Sequence, residues 1–312
     1  SRHLVSSARF VFNYSEAYRR GYGEHYRGWV IHGLNYLLEE HLVSDTKHFA
    51  WMVRKNTKDK LENQFFEPHW AAYADELAAD LRSISPYSGQ NANMHACECF
   101  LASYHVTNRD QYLTRAAELA RRFAGDLADL GGGMIWEHYT SNWQIDWDFN
   151  RDRPNDLFRP WGFQPGHQVE WSKLLAELFL ITREQWYLDR ARYLYDQALS
   201  VGWDERYGGL VYGVAPDGTF ASADKYFWVH AEAFAAAYRL FKITGETRYI
   251  EDYDRIWDYS MEHLVDHQCG AWYRVVNREG QKIDNQKSPM GKVDYHTLGA
   301  CWDVLDRIEA ED

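Results

Sequence analysis

Thr182-Arg183-Glu184-Gln185-Trp186-Tyr187-Leu188 occurs in recognisable form twice more, as Thr107-Asn108-Arg109-Asp110-Gln111-Tyr112-Leu113 and as Thr244-Gly245-Glu246-Thr247-Arg248-Tyr249-Ile250. A weaker copy is Gly21-Tyr22-Gly23-Glu24-His25-Tyr26. An apolar stretch precedes each copy and a charged amphipathic one follows, as in Leu174–Ile181 and Arg190–Leu199 around the first. A helix that is apolar nearly all round is buried, whereas an amphipathic one is half buried. The second stretch ends at glycine (Gly131-Gly132-Gly133, Gly208-Gly209, Gly270). Aromatic and β-branched residues and a turn such as Pro216-Asp217-Gly218 then follow, which suits a short hairpin. The unit is therefore helix, turn, helix, small hairpin. Its repetition predicts an all-α chain in which buried helices form an inner ring and half-exposed helices an outer one. This is an (α/α)6 barrel, a toroid of helical hairpins with short β-hairpins between units. A solenoid that stays open is the alternative.

The marker tyrosines serve as a ruler. Counting 17 residues back from Tyr26, Tyr112, Tyr187 and Tyr249 gives Arg9, His95, Glu170 and Glu232. Four units thus place an ionisable residue at one height, near the start of an otherwise apolar helix. One turn earlier stand Asn91, His167 and Trp228. A single polar residue at a helix end is commonly a satisfied cap. Four at one register, on a ring, point to a shared cavity.

The ruler also exposes an irregular unit. Marker spacings of 75 and 62 residues are preceded by one of 86, too long for one unit and too short for two. Asp45-Thr46-Lys47-His48-Phe49 begins like an inner helix, but Arg54–Lys60 is too charged to be buried. Phe65 to Glu76 reads as a closing hairpin. The expectation is one domain over residues 1–312, with a second unit (about 43–66) shortened or incomplete. Tyr295–Ile308 supplies the last inner helix, and His296 its inner position.

Composition bounds the function. The 312 residues carry 34 basic and 46 acidic side chains, a net charge of −12. An acidic chain of ordinary apolar content is a poor partner for nucleic acid or an anionic membrane. No apolar run is long enough to span a bilayer, and the first ten residues hold no secretion signal. Four dispersed cysteines suit a reduced, cytoplasmic protein rather than a disulfide scaffold. In that setting the Asn13-Tyr14-Ser15 glycosylation match carries little weight. Aromatic residues make up 16% of the chain, with 14 Trp, enough for a core and for faces that suit sugar rings.

The sequence holds no His-Glu-x-x-His, paired Cys-x-x-Cys, nucleophile elbow, phosphate loop or dinucleotide fingerprint. His95 with Glu98 and His167 with Glu170 each lie three apart on one helix face, a spacing that metal ligands also use. The expectation is no metal and no cofactor. A hydrolase on this toroid would use two carboxylates, with Glu170 and Glu232 as candidates.

Four stretches carry a family likeness: Arg2–Phe10, Gln90-Asn91-Ala92-Asn93-Met94-His95, Pro165-Gly166-His167-Gln168-Val169-Glu170-Trp171-Ser172-Lys173-Leu174-Leu175, and Asp294-Tyr295-His296-Thr297. With them the chain resembles the N-acylglucosamine 2-epimerase superfamily and, within it, the mannose isomerases, or aldose–ketose isomerases. The resemblance covers nearly the whole chain outside the irregular unit. It implies an (α/α)6 barrel and a monosaccharide substrate such as D-mannose, isomerised to D-fructose without a metal. The two matching histidines would be catalytic. His296 would move the proton between C1 and C2 of a cis-enediol, and His167, oriented by Glu170, would protonate the ring oxygen. Imidazole suits both tasks because it changes charge near neutral pH. The resemblance further implies that Arg9 faces the enediolate, that Asn91, His95 and Glu232 hold hydroxyls, and that Trp228 stacks on the sugar. A sugar 2-epimerase uses the same enediol and is the nearest rival. A glycoside hydrolase and a non-catalytic binding toroid are the others. Oligomeric state is not legible.

Overall fold

The computed structural model describes residues 2–36, 42–43, 48–53, 60–62, 66–67, 71–73, 87–287 and 294–309. Helices α1 (Leu4–Arg19) and α2 (His25–Tyr36) form the first hairpin. Helices α3 (Gln90–Thr107) and α4 (Asp110–Ala120) form the next. Helix α4 continues through a π-helical Arg121–Leu127 into the short α5 (Ala128–Leu130). Then come α6 (Pro165–Thr182) with α7 (Gln185–Gly202), and α8 (Phe227–Thr244) with α9 (Thr247–His263). Helix α10 (Tyr295–Glu309) stands last.

The repeated marker proves to be a capping device. Asn108, Arg183 and Gly245 each end an inner helix in the left-handed conformation, with φ of 50°, 60° and 70°. Their N–H groups donate to the carbonyls of Tyr104, Phe179 and Phe241. Thr182 and Thr244 hydroxyls donate to Leu178 and Leu240 carbonyls and accept from the N–H of Glu184 and Glu246, which opens the next helix. The marker tyrosines Tyr187 and Tyr249 then bury their rings. Arg183 occupies a backbone region that L-residues pay roughly 1 kcal/mol to enter, where Gly245 does so freely.

Burial follows the pattern. Every residue of α8 from Phe227 to Leu240 is buried, whereas α9 buries only Tyr249, Ile256, Tyr259 and Ser260. Helix α6 packs on α3 and α8, α10 packs on α8, and α10 also meets α1. The first and last helices are thus neighbours, and the solenoid closes. The apolar core, with Trp171, Phe123, Phe234 and Tyr195, lies between the two rings.

The ring's inner side carries charge. His105 Nε2 lies 2.8 Å from Glu177, whose other oxygen accepts from Arg239 Nη1 at 2.8 Å. Arg239 also binds Asp303. Lys173 binds Glu232, and Glu232 binds His296. These groups come from α3, α6, α8 and α10, so the hub is a column of alternating charges.

Between α2 and α3 the described residues are strands. They are β2 (Leu42–Val43), β3 (His48–Val53), β4 (Lys60–Glu62), β5 (Phe66–Glu67) and β6 (Ala72–Tyr73). Strand β3 pairs antiparallel with β1 (Arg2–His3), β2 and β4. The inner helix expected to open at Asp45–Phe49 is therefore not formed over 48–53, while β5 and β6 make the expected closing hairpin. The remainder of 43–66 lies outside the described residues. Further on, β7 (Tyr87–Gly89) pairs with β8 (His138–Thr140), and β9 (Gly213–Val214) pairs with β10 (Phe220–Ser222). Finally, β11 (Lys225–Tyr226) pairs with β12 (Val275–Val276).

Candidate active site

Proline at the first position of α6 pre-sets that helix and puts His167 in its first turn. The β7–β8 pairing sets Gln90 beside Glu137, whose carbonyl accepts from Gln90 N–H at 3.2 Å. Gln168 clamps the same segment to α6. Its amide accepts from Ile135 N–H at 3.0 Å and donates to Ile135 C=O at 2.8 Å. The Glu137 carboxylate is thereby delivered to His167, with Nδ1 2.9 Å from both oxygens. Glu137 also accepts from Gln90 Nε2 at 3.2 and 3.0 Å, and Gln90 accepts from Trp171 Nε1 at 2.8 Å.

A second imidazole–carboxylate pair is built from α10 and α8. His296 Nδ1 lies 2.7 Å from Glu232 Oε1, and Lys173 Nζ lies 2.5 Å from Glu232 Oε2. Both pairs are buried. A carboxylate on Nδ1 makes Nε2 the proton-accepting nitrogen of a neutral ring. Trp228 stands against both imidazoles, its ring 5.0 Å from that of His167 and 5.6 Å from that of His296. It can do so because residue 166 is glycine. A Cβ there would come within 2.6 Å of the indole.

The other expected residues gather around His296. The His95 ring lies 6.5 Å from it, and His95 Nδ1 is 3.3 Å from Glu98 and 3.7 Å from Glu170. Donor atoms of Glu170, Glu232 and His296 fall within 4.8 Å of one another, as do those of His95, Glu98 and Glu170. Arg9 places its guanidinium 4.7 Å over the Tyr295 ring, which abuts His296. Asn91 is half-buried one turn before His95, and its buried Oδ1 has no hydrogen-bond partner among the described residues.

Electrostatics follow from this packing. Burial alone would raise Glu98, but its hydrogen bond with His95 and the Lys173 charge hold it well below the usual carboxylate range. Burial pushes Glu232 up, with Lys173 pulling against it. Burial works against the Lys173 ammonium too. Glu232, Glu98, Glu170 and Asp303 outweigh it and keep Lys173 above the ordinary lysine range. Lys173 is thus a cation that the chain itself sets among these carboxylates.

One expectation needs correcting. Glu170 does not orient His167, whose Nδ1 belongs to Glu137. Glu170 points toward His95 and the Glu232–His296 pair. Glu232 has His296 on one oxygen and Lys173 on the other, contacts that the sequence did not reveal. Glu137 and Lys173 were missed as functional residues. Their signals were an acidic residue among aromatics at Ile135-Trp136-Glu137-His138, and a lone cation three residues past Glu170.

The sequence matches the profile of the family described as N-acylglucosamine 2-epimerase (GlcNAc 2-epimerase) over residues 46–300. It is 43% identical over 345 residues to the D-mannose isomerase of Marinomonas mediterranea, with 99% of this chain and 87% of that protein covered. The fold superposes on a crystal structure of D-mannose isomerase with a TM-score of 0.91 and 42% identity, over 98% of this chain and 87% of that one. The cellobiose 2-epimerase of Spirochaeta thermophila shares the fold at a TM-score of 0.81 and 19% identity, over 99% and 87% of the two chains. With most of its length inside the family profile and a 43% identical relative along almost all of it, the chain belongs to the N-acylglucosamine 2-epimerase family.

Proposed function

We propose that this chain is an aldose–ketose isomerase that interconverts D-mannose and D-fructose, together with aldoses of like C2 configuration. The observation that carries the reading is the pair of buried histidines, each backed by a carboxylate and each set against Trp228, in a chain 43% identical to a D-mannose isomerase. In this reading His167, protonated and held by Glu137, donates to the ring oxygen and opens the pyranose. His296, with its Nδ1–H on Glu232, takes the C2 proton at Nε2 and returns it to C1 through the cis-enediol. Arg9 faces the oxygen on which enediolate charge develops. Asn91 and His95 hold hydroxyls, and Trp228 is the apolar wall against the ring's C–H face.

The reading uses no metal; the Lys173 ammonium stands against Glu232, and Glu98 and Glu170 also favour its charge. A glycosidase would need Glu232 available to the glycosidic bond, whereas it is committed to His296 and Lys173. No described helix is long and apolar enough to cross a membrane, and none of the four cysteines forms a disulfide. Both facts suit a cytoplasmic sugar enzyme. The chain is read as one domain with a shortened second unit. The stretch aligned with the Marinomonas protein is longer than this chain, so that relative carries residues lacking here.

Incubation with D-mannose in heavy water tests the reading. Fructose as main product, with deuterium at C1, supports it. Glucose with deuterium at C2 assigns a 2-epimerase instead, and turnover of no aldose overturns both.

A further inference from the structure

The two imidazole–carboxylate pairs differ in what stands behind the carboxylate. Behind Glu137 is the Gln90 amide, itself bonded to the Trp171 indole, so among the described residues its supporting donors are neutral. Behind Glu232 is the Lys173 ammonium at 2.5 Å, 12% exposed at its side chain. A carboxylate next to an imidazole favours the imidazolium, and a cation behind that carboxylate opposes it. Buried placement strengthens both effects, because water does little to screen them.

We propose that Lys173 is a positioning residue that makes the two histidines unequal. It pins Glu232 as the acceptor for His296 Nδ1 and cancels its charge, so His296 rests unprotonated at Nε2. Glu137, on His167, has no such cation behind it among the described residues. The labels base and acid rest on the isomerase reading above; the charge asymmetry does not.

Among the described residues, charged and titratable groups face His296 from five helices. Helix α8 presents Glu232, α6 presents Lys173 and Glu170, and α3 presents His95 and Glu98. Helix α10 presents Tyr295, with Arg9 of α1 stacked on it, and Asp303 acts on Lys173 from further down the hub. Glu98, Glu170 and Asp303 hold Lys173 charged across the range in which imidazole titrates. Lys173 thus acts as a fixed cation.

Lys173→Gln keeps a hydrogen-bond donor to Glu232 and removes the charge, while Lys173→Arg keeps the charge. In Lys173→Gln the acid limb of kcat/KM for mannose isomerisation is expected to move up by about one pH unit, a roughly tenfold loss below the limb. KM changes little. Lys173→Arg restores the wild-type limb. Without turnover, the His296 imidazole resonance, assigned by difference from His296→Asn, should titrate at higher pH in Lys173→Gln than in wild type. A folded Lys173→Gln whose acid limb and His296 titration match wild type overturns the proposal. Should Lys173→Gln not fold, Glu232→Gln and Lys173→Gln/Glu232→Gln carry the test, since neither leaves a lone buried anion of this pair. The His296 titration must then lie higher in the double variant than in the single one, and equality overturns the proposal. If wild type isomerises no aldose yet the His296 titration moves as stated, the isomerase reading falls and the inference about Lys173 stands.

Discussion

His167 Nδ1 lies 2.9 Å from both carboxylate oxygens of Glu137, a residue thirty positions earlier on a different element. The contact fixes which ring nitrogen bears the permanent proton and steadies the imidazolium in the proposed ring opening. Glu137→Gln removes the charge and can turn the wrong group toward Nδ1. The expected outcome is a kcat for mannose lowered by roughly a hundredfold with KM changed far less. Steady-state kinetics beside a circular dichroism spectrum checks this, and a kcat within twofold of wild type would count against the role.

The isomerase and hydrolase readings rank the same substitutions in opposite order. His296→Ala is expected to lower kcat by about a thousandfold, and Glu170→Gln by about tenfold, since Glu170 touches neither Nδ1 in the structure. Ketose formation from mannose measures both. Loss of activity greater in Glu170→Gln than in His296→Ala would reverse the assignment.

Gly166 is a packing requirement for Trp228. Adding a Cβ brings it within 2.6 Å of the indole and 2.8 Å of Val229. Gly166→Ala therefore shifts the wall that both imidazoles touch. The expected outcome is at least a tenfold fall in kcat/KM, from misplacement rather than unfolding. Thermal melts should change by no more than overpacking implies, about 1–3 kcal/mol. Wild-type kinetics in this variant would remove Trp228 from the site.

His230 gives the fold a pH dependence separate from the chemistry. It donates from Nδ1 to the Tyr226 carbonyl at 2.9 Å and accepts from Leu210 N–H at Nε2 at 3.0 Å, a pattern that only the neutral ring satisfies. Burial pulls its pKa down to about 4 from the ordinary 6.5. The unfolded chain therefore binds the extra proton first. Stability from this residue is complete above about pH 6.5 and is lost as the pH falls toward 4, by roughly 3 kcal/mol at most. Urea denaturation at pH 7 and pH 5 should find wild type weaker at pH 5, with a smaller difference in His230→Leu. Equal slopes in the two proteins would refute the assignment.

Local chemistry was the most legible layer of the sequence. The Thr182, Thr244, Tyr187 and Tyr249 markers are read easily because a cap and the tyrosine after it are decided within seven residues. A ruler laid on them then located His95, Glu170 and Glu232, because inner helices of equal length put equal positions at equal depth. The partner of His167 was not legible. An i, i+3 neighbour on the same helix was the nearest candidate, yet the carboxylate comes from the segment leading into β8, where no periodicity marks which side chain turns inward. Lys173 escaped for another reason. A cation on a helix ordinarily marks the solvent face, and only the ring's closure shows that this one faces four acids. The stretch at 48–53 is a strand where an inner helix was expected, since a helix start signal does not by itself commit the next residues to a helix.

The hub's column of charges also governs assembly. Arg239 of α8 finds Asp303, and Glu232 finds His296, only when α10 has docked, although α10 comes after α8 by some fifty residues of chain. A wheel missing that spoke would leave Arg239 only Glu177 and the Lys173 carbonyl, and Glu232 only Lys173, so each would lack a partner that it has in the closed ring. Seating of the final spoke is thus both what completes the reaction chamber and what quiets the axle, so a half-built wheel is penalised before it can hold a sugar.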